Sequence, residues 1–254
     1  MDESVEAVNE GGSAYIGQML SAIHLWTIDL EDYPGWTEWN HQKVQKTLSL
    51  DDLPVDSVSE TSDHFLFSEE LELQHAVVFQ FLALHRTLKS LTDCEYYFRR
   101  YPFHGLPVSH FDHLTNICEM YFSRFYEFRE RLKNYLNALA ATVPDKKLDI
   151  GKFIKKFDKT FNPELRTRNL VHHHQRFEDL AIDRIFLAHT LSVHKSDEAW
   201  LAERNAMYRA FTREWVDRVR RRSRVMNEYL EATACATLKF CDFLQVKTHP
   251  EVDV

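Results

Sequence analysis

The chain has 254 residues and a formal net charge of −8, and 44% of its residues are hydrophobic. It has only six glycines and seven prolines, the residues from which sandwiches and doubly wound folds build their many tight turns. The composition therefore excludes a turn-rich fold and predicts an all-α protein made of long helices. The acidic balance also argues against general nucleic-acid binding.

The charge is distributed unevenly along the chain. Residues 1–75 contain 16 acidic side chains and two basic ones, which gives this segment a charge of −14. The remaining 179 residues therefore carry +6. The last two-thirds of the chain can thus present a local basic surface.

Three features of the sequence predict a cytoplasmic protein without membrane contact. No apolar run approaches the ~18 residues of a membrane span. Residues 1–9 are acidic and lack the basic and apolar regions of a signal peptide. The cysteines have no CxxC spacing, which predicts buried, reduced thiols; they are Cys94, Cys118, Cys235 and Cys241.

The first quarter of the chain is predicted to be a helical extension. Residues 1–12 are expected to be disordered, and an apolar set that begins at Ile16 predicts a helix over residues 13–32. Pro34 and Gly35 end that helix, and Trp36 opens a short second one.

Residues 49–63 are polar, acidic and proline-containing, which is typical of a loop or a boundary. We therefore divide the chain into an acidic N-terminal helical extension with its loop, residues 1–63, and a helical domain, residues 64–254.

Apolar residues three and four positions apart predict two long helices in that domain. Ser68 can cap the first, and the second is expected over residues 112–142, after a break at 101–110 and before Pro144. Their apolar stripes are Val77, Val78, Phe81, Leu84, Leu88 and Leu91, and Cys118, Phe122, Phe125, Phe128, Leu132, Leu136 and Leu139. Three more helices are predicted over residues 150–161, 179–193 and 197–245, the last either continuous or interrupted.

The segment from Arg166 to His174 concentrates side chains suited to RNA chemistry, since it reads Arg-Thr-Arg-Asn-Leu-Val-His-His-His. Arginine is a permanent planar cation that matches phosphate oxygens, and histidine transfers protons near neutral pH. Together they suit RNA transesterification, in which a base removes the 2′-hydroxyl proton and a cation stabilises charge on the phosphorus oxygens. This chemistry requires no metal or other cofactor.

The segment resembles the signature of the HEPN superfamily, helical domains named from higher eukaryotes and prokaryotes nucleotide-binding. The signature is an arginine, usually followed by a polar residue, and a histidine after four to six intervening positions. Arg168 and Asn169 followed by His173 fit it. The resemblance covers residues 110–195 and includes the long aromatic helix before the motif.

The histidine of the signature is ambiguous because three histidines follow one another. His174 also fits Arg168, and Arg166 fits His172, although Thr167 is a less typical follower than Asn169. Successive residues of an α-helix point about 100° apart, so at most one or two of the three histidines can face the arginine.

The resemblance implies a HEPN-like bundle of long antiparallel helices that acts as a metal-independent endoribonuclease. Arg168 would stabilise the phosphorane, His173 or His172 would act as general base or acid, and Asn169 would hold the motif or a phosphate oxygen in position. The resemblance also implies a homodimer that joins two motifs in one cleft. Such proteins often serve as toxins or in phage defence, which adds an antitoxin or a regulatory protein as a partner.

Two basic stretches of the domain are candidates for tracking RNA. One is the stretch over residues 146–159, which contains six lysines, and the other is the arginine-rich stretch over residues 218–224. A solvated helix face is the common alternative for each. The candidate RNA-binding residues are Lys152, Lys155, Lys156, Arg218, Arg221 and Arg222.

Other interpretations remain open on the sequence alone. The motif can be structural, with its arginine and asparagine bridging helices, in a catalytically silent HEPN-like module that binds a nucleotide, RNA or a protein. A metal-dependent hydrolase is a third reading. Adjacent helical histidines diverge and cannot close around one ion unaided, which disfavours metal at residues 172–174. A second possible metal cluster consists of His104, His110, Asp112 and His113, although polar loop and helix-cap residues are its common explanation.

Overall fold

The structure, a computed structural model, describes residues 14–48, 65–173, 176–195 and 198–245. Eight α-helices and two short 3-10 helices account for most of these residues, and the described part of the chain contains no strand. The predicted all-α fold is confirmed. The helices are α1 (Ala14–Asp29), α2 (Trp36–Leu48), α3 (Glu69–Arg99), α4 (His110–Thr142), α5 (Ile150–Thr160), α6 (Asn162–His173), α7 (Leu180–Lys195) and α8 (Glu198–Phe240).

The chain divides into two compact units that interleave in sequence. The first unit comprises residues 1–78, 139–146 and 231–254, and the second comprises residues 79–138 and 147–230. The sequence-based boundary between residues 63 and 64 lies outside the described residues and stays a prediction.

The first unit is held by aromatic packing and by a carboxylate at the start of α1. Glu231 Oε2 accepts hydrogen bonds from the backbone N–H groups of Tyr15 at 2.9 Å and Ile16 at 3.3 Å. This satisfies two of the donors that the first turn of a helix leaves unpaired, and places negative charge at the positive end of the helix dipole. An aromatic cluster joins the start of α2 to residues 65–67; its members are Tyr33, Trp36, Trp39, Phe65 and Phe67.

The second unit is built on the predicted apolar stripe of α4 from Cys118 to Leu136, whose residues are all buried. Phe125 and Phe128 pack against Phe161 and Phe157, with ring centroids 5.2 and 5.6 Å apart. At the other end of this core, Trp215 of α8 stacks on Phe98 with centroids 5.1 Å apart. These aromatic contacts pack α4 against α5 and against Phe161, the residue before the motif helix α6, and pack α8 against α3.

Local sequence signals set the helix starts where they were expected. Ser68 Oγ accepts a hydrogen bond from Leu71 N at 3.3 Å, and Asp149 caps α5 by accepting from Lys152 N at 2.9 Å. Gly35 has a φ of 78°, which suits glycine because other residues are strained in the left-handed region. The last long helix, α8, is continuous over 43 residues, so the allowed interruption does not occur within it.

Candidate functional site

The motif segment forms a helix of its own, α6, which begins after a sharp turn from α5. Pro163 lies in the first turn, where its missing N–H costs nothing and its fixed φ favours the helix. Thr167 Oγ1 donates to Pro163 O at 3.0 Å. The helix therefore presents Arg166, Arg168 and Asn169 in one regular register.

Arg168 is held on an aromatic ring of a neighbouring helix. Its guanidinium carbon lies 3.8 Å from the ring centroid of Tyr126 on α4, close enough for a cation–π interaction. Its Nη1 donates to Asn169 Oδ1 at 3.3 Å. No carboxylate among the described residues pairs with it, so the cation retains an unneutralised charge at the half-exposed surface.

Of the three histidines, His172 is the one whose side chain the structure describes. It follows Arg168 by four residues on the same helix, and residues at this spacing are neighbours on one helix face. Its side chain is exposed. The backbone of His173 ends α6, but the side chain of His173 and the whole of His174 lie outside the described residues.

Arg166 lies on a different side of α6 from Arg168, because two helical positions correspond to a rotation of about 200°. Its side chain is exposed. Arg168 and His172 therefore lie on the same face of α6, and Asn169 lies beside Arg168 at the edge of that face. Arg166 lies on the opposite side of the helix.

A buried carboxylate below the motif is a feature that the sequence analysis missed. Glu164, one turn before Arg168 on α6, is only 3% exposed and forms a two-pronged ion pair with Arg222 of α8. Arg222 Nε lies 2.8 Å from Glu164 Oε1, and its Nη2 also donates to Thr160 O at 3.0 Å. One signal for this ion pair was present in the sequence. Glu164 is a single acidic residue close to Arg166 and Arg168, and the basic run of α8 contains two arginines one turn apart, Arg218 and Arg222.

Arg218 shares that carboxylate and also sits on aromatic rings. Its Nη2 is 3.8 Å from Glu164 Oε1, and its guanidinium carbon lies 4.8 Å from the Trp215 ring and 5.4 Å from the Phe122 ring. Phe122 and Tyr126 are four residues apart on α4. Two arginines from two helices, Arg168 and Arg218, therefore rest on aromatic rings one helical turn apart.

The remaining candidate RNA-binding residues are free at the surface. Lys152, Lys155 and Lys156 of α5 and Arg221 of α8 are exposed. Their side chains form no hydrogen bond or ion pair with other described residues. Arg222, in contrast, has its guanidinium engaged by Glu164 and by a backbone carbonyl.

The cysteines nearest the core are unsuited to nucleophilic chemistry. Burial raises the pKa of the Cys94 thiol to about 12 and raises that of Cys118 well above its ordinary value. Both therefore stay protonated at neutral pH, where only a thiolate would react. All four cysteines are free of disulfides.

The second histidine cluster is an aromatic stack. His110 lies parallel to Tyr101 with ring centroids 3.8 Å apart, and edge-on to Tyr208 at 4.9 Å. His113 Nε2 lies 3.0 Å from Arg100 O and 3.2 Å from Tyr97 O, so it donates to a backbone carbonyl. Within the described ranges no group of three His, Cys, Asp or Glu side chains could hold a metal ion.

No family model, curated protein or solved structure matches the chain. Among the helices described, none is long and apolar enough to cross a membrane.

Proposed function

We propose that this protein is a metal-independent endoribonuclease of HEPN type that cleaves RNA with Arg168 and one histidine of α6, His172 or His173. The observation that carries the proposal is the placement of Arg168 on Tyr126, at 3.8 Å. No carboxylate of the described residues neutralises Arg168, and His172 follows one turn further along α6. A stacked guanidinium is pre-oriented, so less side-chain freedom is lost when it meets a phosphate.

The reaction assigns one role to each side chain of the motif. His172, or His173 beside it, removes the proton of a 2′-hydroxyl as general base. The 2′-oxygen attacks phosphorus while the bond to the 5′-oxygen breaks, and that oxygen takes up a proton from water as it leaves. Arg168 stabilises the charge that grows on the non-bridging oxygens, and Asn169 holds Arg168 through the 3.3 Å hydrogen bond. The products are a 2′,3′-cyclic phosphate and a 5′-hydroxyl.

RNA would approach over the unpaired basic residues. Lys152, Lys155, Lys156 and Arg221 are exposed and without partners among the described residues, so they can release counterions on binding phosphates. Arg218 lies 3.8 Å from Glu164, whereas Arg222 forms a two-pronged ion pair with Glu164 and also donates to Thr160 O. We therefore assign strand binding to the lysines and Arg221, and an indirect structural role to Arg222.

A homodimer would complete the site, as the HEPN resemblance implies. The helix after the motif supports this proposal, because α7 leaves Leu180, Leu187 and Val193 exposed at 66%, 57% and 62%. Large apolar side chains so exposed on one short helix are typical of an interaction surface. Leu187→Glu should convert a dimer to a monomer in light scattering and lower the cleavage rate. Since HEPN nucleases often serve as toxins or in phage defence, we extend the proposal to such a role, with an antitoxin or a regulatory protein as partner.

The decisive experiment compares Arg168→Ala with Arg166→Ala on a single-stranded RNA. Loss of a transition-state charge partner costs on the order of 10²–10³ in rate, so the cleavage rate of Arg168→Ala should be lower than the parent's by that factor. Arg166→Ala is the matched control, since it removes an exposed arginine two positions away and should cleave at a rate close to the parent's. Cleavage should persist in EDTA, and a DNA copy lacking the 2′-hydroxyl should remain intact.

A second candidate function is a catalytically silent module that uses the same surface to bind RNA or a protein. The stack on Tyr126 favours it too, because a guanidinium packed on a ring can serve to dock α6 on α4. If the purified protein binds RNA without cutting it, or if Arg168→Ala cuts as fast as the parent, this function replaces the nuclease. Loss of cleavage in EDTA would instead favour a metal-dependent hydrolase.

A further inference from the structure

A cleft on the second unit, away from the motif, is lined by four arginines. It has a volume of about 570 Å³ and is lined by Arg99, Arg209, Thr212, Arg213, Val216, Asp217 and Arg220. The volume lies within the range of ~300–1,000 Å³ that is typical of small-molecule sites. Thr212 and Val216 are buried and form its floor, whereas the arginines are exposed around it.

The arginines of α8 occupy one face of that helix. Arg209, Arg213 and Arg220 are separated by four and seven residues, which returns each to nearly the same angular position. Arg99 ends α3 and reaches the same cleft. The convergence of two helices makes this a concave site, which a solvated stripe on a single helix would not provide.

The charge in the cleft is only partly compensated. Glu95 pairs with Arg220 through two hydrogen bonds of 2.9 and 2.8 Å and also pairs with Arg99. Asp217 lies 3.9 Å from Arg220. Four positive charges therefore face two negative ones, and the balance of +2 is located on Arg209 and Arg213, neither of which has a carboxylate partner among the described residues.

The two arginines without a carboxylate partner among the described residues, Arg209 and Arg213, are one helical turn apart on α8. Arg213 Nε donates to the backbone carbonyl of Arg209 at 3.1 Å, which fixes its guanidinium and leaves its terminal nitrogens available. Like charges four residues apart on a helix repel each other. An anion that bridges them would relieve this repulsion.

We propose that the cleft binds a polyphosphate group, that is, two or three linked phosphoryl groups carried by a small molecule. Arg209 and Arg213 are about 6 Å apart along the helix axis at ~1.5 Å per residue, so their long side chains can each reach a different phosphoryl group of one ligand. Glu95 and Asp217 limit the unpaired cations to one end of the cleft. A short cationic site of this kind fits a polyphosphate group better than a continuing RNA strand, which needs a longer basic path. The site is independent of the proposed nuclease activity.

The test is a titration of the full-length protein with sodium tripolyphosphate, orthophosphate and a nucleoside triphosphate. Charge-assisted hydrogen bonds of ~1.5–3 kcal/mol each correspond to about tenfold or more in affinity. Tripolyphosphate and the nucleoside triphosphate should therefore bind at least about tenfold tighter than orthophosphate, and binding should weaken as salt rises. Comparable affinities for tripolyphosphate and orthophosphate would overturn the proposal.

The variant Arg209→Gln with Arg213→Gln should weaken tripolyphosphate binding at least about tenfold. Both side chains are exposed and free of ion pairs, so the fold should be retained, which the melting temperature checks. Arg184→Gln, an exposed arginine of α7 outside the cleft, is the matched control and should bind like the parent. A double variant that binds as tightly as the parent, or a 5′-hydroxyl RNA that displaces tripolyphosphate, would reject the site. RNA cleavage by the double variant should match the parent's, which keeps this test separate from that of the nuclease.

Discussion

Glu164 and Arg222 form an ion pair in which the carboxylate is almost fully buried and the guanidinium is about three-quarters covered, at 3% and 24% exposure. Arg222 reaches both carboxylate oxygens and also donates to Thr160 O. Arg218 approaches the same carboxylate at 3.8 Å. The pair ties α8 to α6, the helix that carries the motif, so the position of Arg168 depends on a residue one turn before it.

Glu164→Gln should destabilise the protein strongly. Removing one partner of a buried pair leaves an uncompensated charge and costs about 3 kcal/mol or more, which a urea titration would measure. Glu228→Gln, at an exposed position of α8, is the control and should change the free energy of unfolding by less than about 0.5 kcal/mol. Replacing both partners, Glu164→Gln with Arg222→Met, should recover part of the loss. If the double variant is less stable than the single one, the pair is not the reason for the effect.

Substitutions of two adjacent arginines of α8, Arg221 and Arg222, should distinguish an RNA-binding role from a structural one. Arg221→Ala should leave the free energy of unfolding within about 0.5 kcal/mol of the parent's, while RNA affinity falls and its salt dependence becomes shallower by the loss of one phosphate contact. Arg222→Ala should lower stability by up to about 3 kcal/mol because the buried Glu164 then keeps only the longer contact to Arg218, at 3.8 Å. Fluorescence anisotropy with a labelled RNA, measured at several salt concentrations, checks the prediction for Arg221→Ala. If this variant bound RNA more weakly but with the same salt dependence as the parent, Arg221 would not be a phosphate contact.

Much of the helical framework could be predicted because it depends on local rules. The stripe from Val77 to Leu91 has helical spacing, and every member is buried. Ser68 and Asp149 cap helices through hydrogen bonds that span three residues. These signals lie within one or two turns of sequence, so no tertiary information is needed to read them.

The site required tertiary information that the sequence lacks. Glu164 and Arg222 are separated by 58 residues, so the charge pattern of each helix alone does not show that the two side chains pair or that Glu164 is buried. Tyr126 likewise lies off the apolar stripe of α4, so its role under Arg168 becomes visible only when α6 packs on α4. Arg222 was a candidate for RNA binding because of its position in a basic run, whereas in the structure its guanidinium pairs with Glu164 and donates to Thr160 O.

Tyr126 is predicted to act as a positioning residue for cleavage. Tyr126→Leu removes the ring beneath Arg168 and should lower kcat by about tenfold, since a cation–π contact is worth ~0.5–2 kcal/mol. Stability should change by about 1 kcal/mol or less because the side chain is 36% exposed. Tyr126→Phe keeps the ring face and should cleave at nearly the parental rate. Equal losses in the Leu and Phe variants would show that the hydroxyl, and not the ring, matters.

The stacked histidine at the start of α4 should make stability depend on pH. The pKa of His110 is lowered from 6.5 to about 4, first because burial disfavours the charged ring and then because positive charge surrounds it. The groups that face it are Arg204, His189, His104 and His113. Burial also lowers the pKa of His75, His85 and His113, so several rings act in the same direction.

A lowered histidine pKa means that, as the pH falls, the unfolded chain takes up a proton at a higher pH than the folded protein does. The free energy of unfolding should therefore fall as pH drops from about 6.5 towards 4 and should be insensitive to this group above pH 7. Because His110 is only half-buried and water screens it, its share should be about 1 kcal/mol. His110→Phe keeps the stack on Tyr101, whose ring centroid lies 3.8 Å away, and removes the titration. Urea unfolding at pH 5 and at pH 8 should show a smaller difference for the variant than for the parent, with part of the slope left by the other rings. An unchanged difference would mean that His110 is protonated in the folded protein at pH 5, so its ring would not be the source of the acid sensitivity.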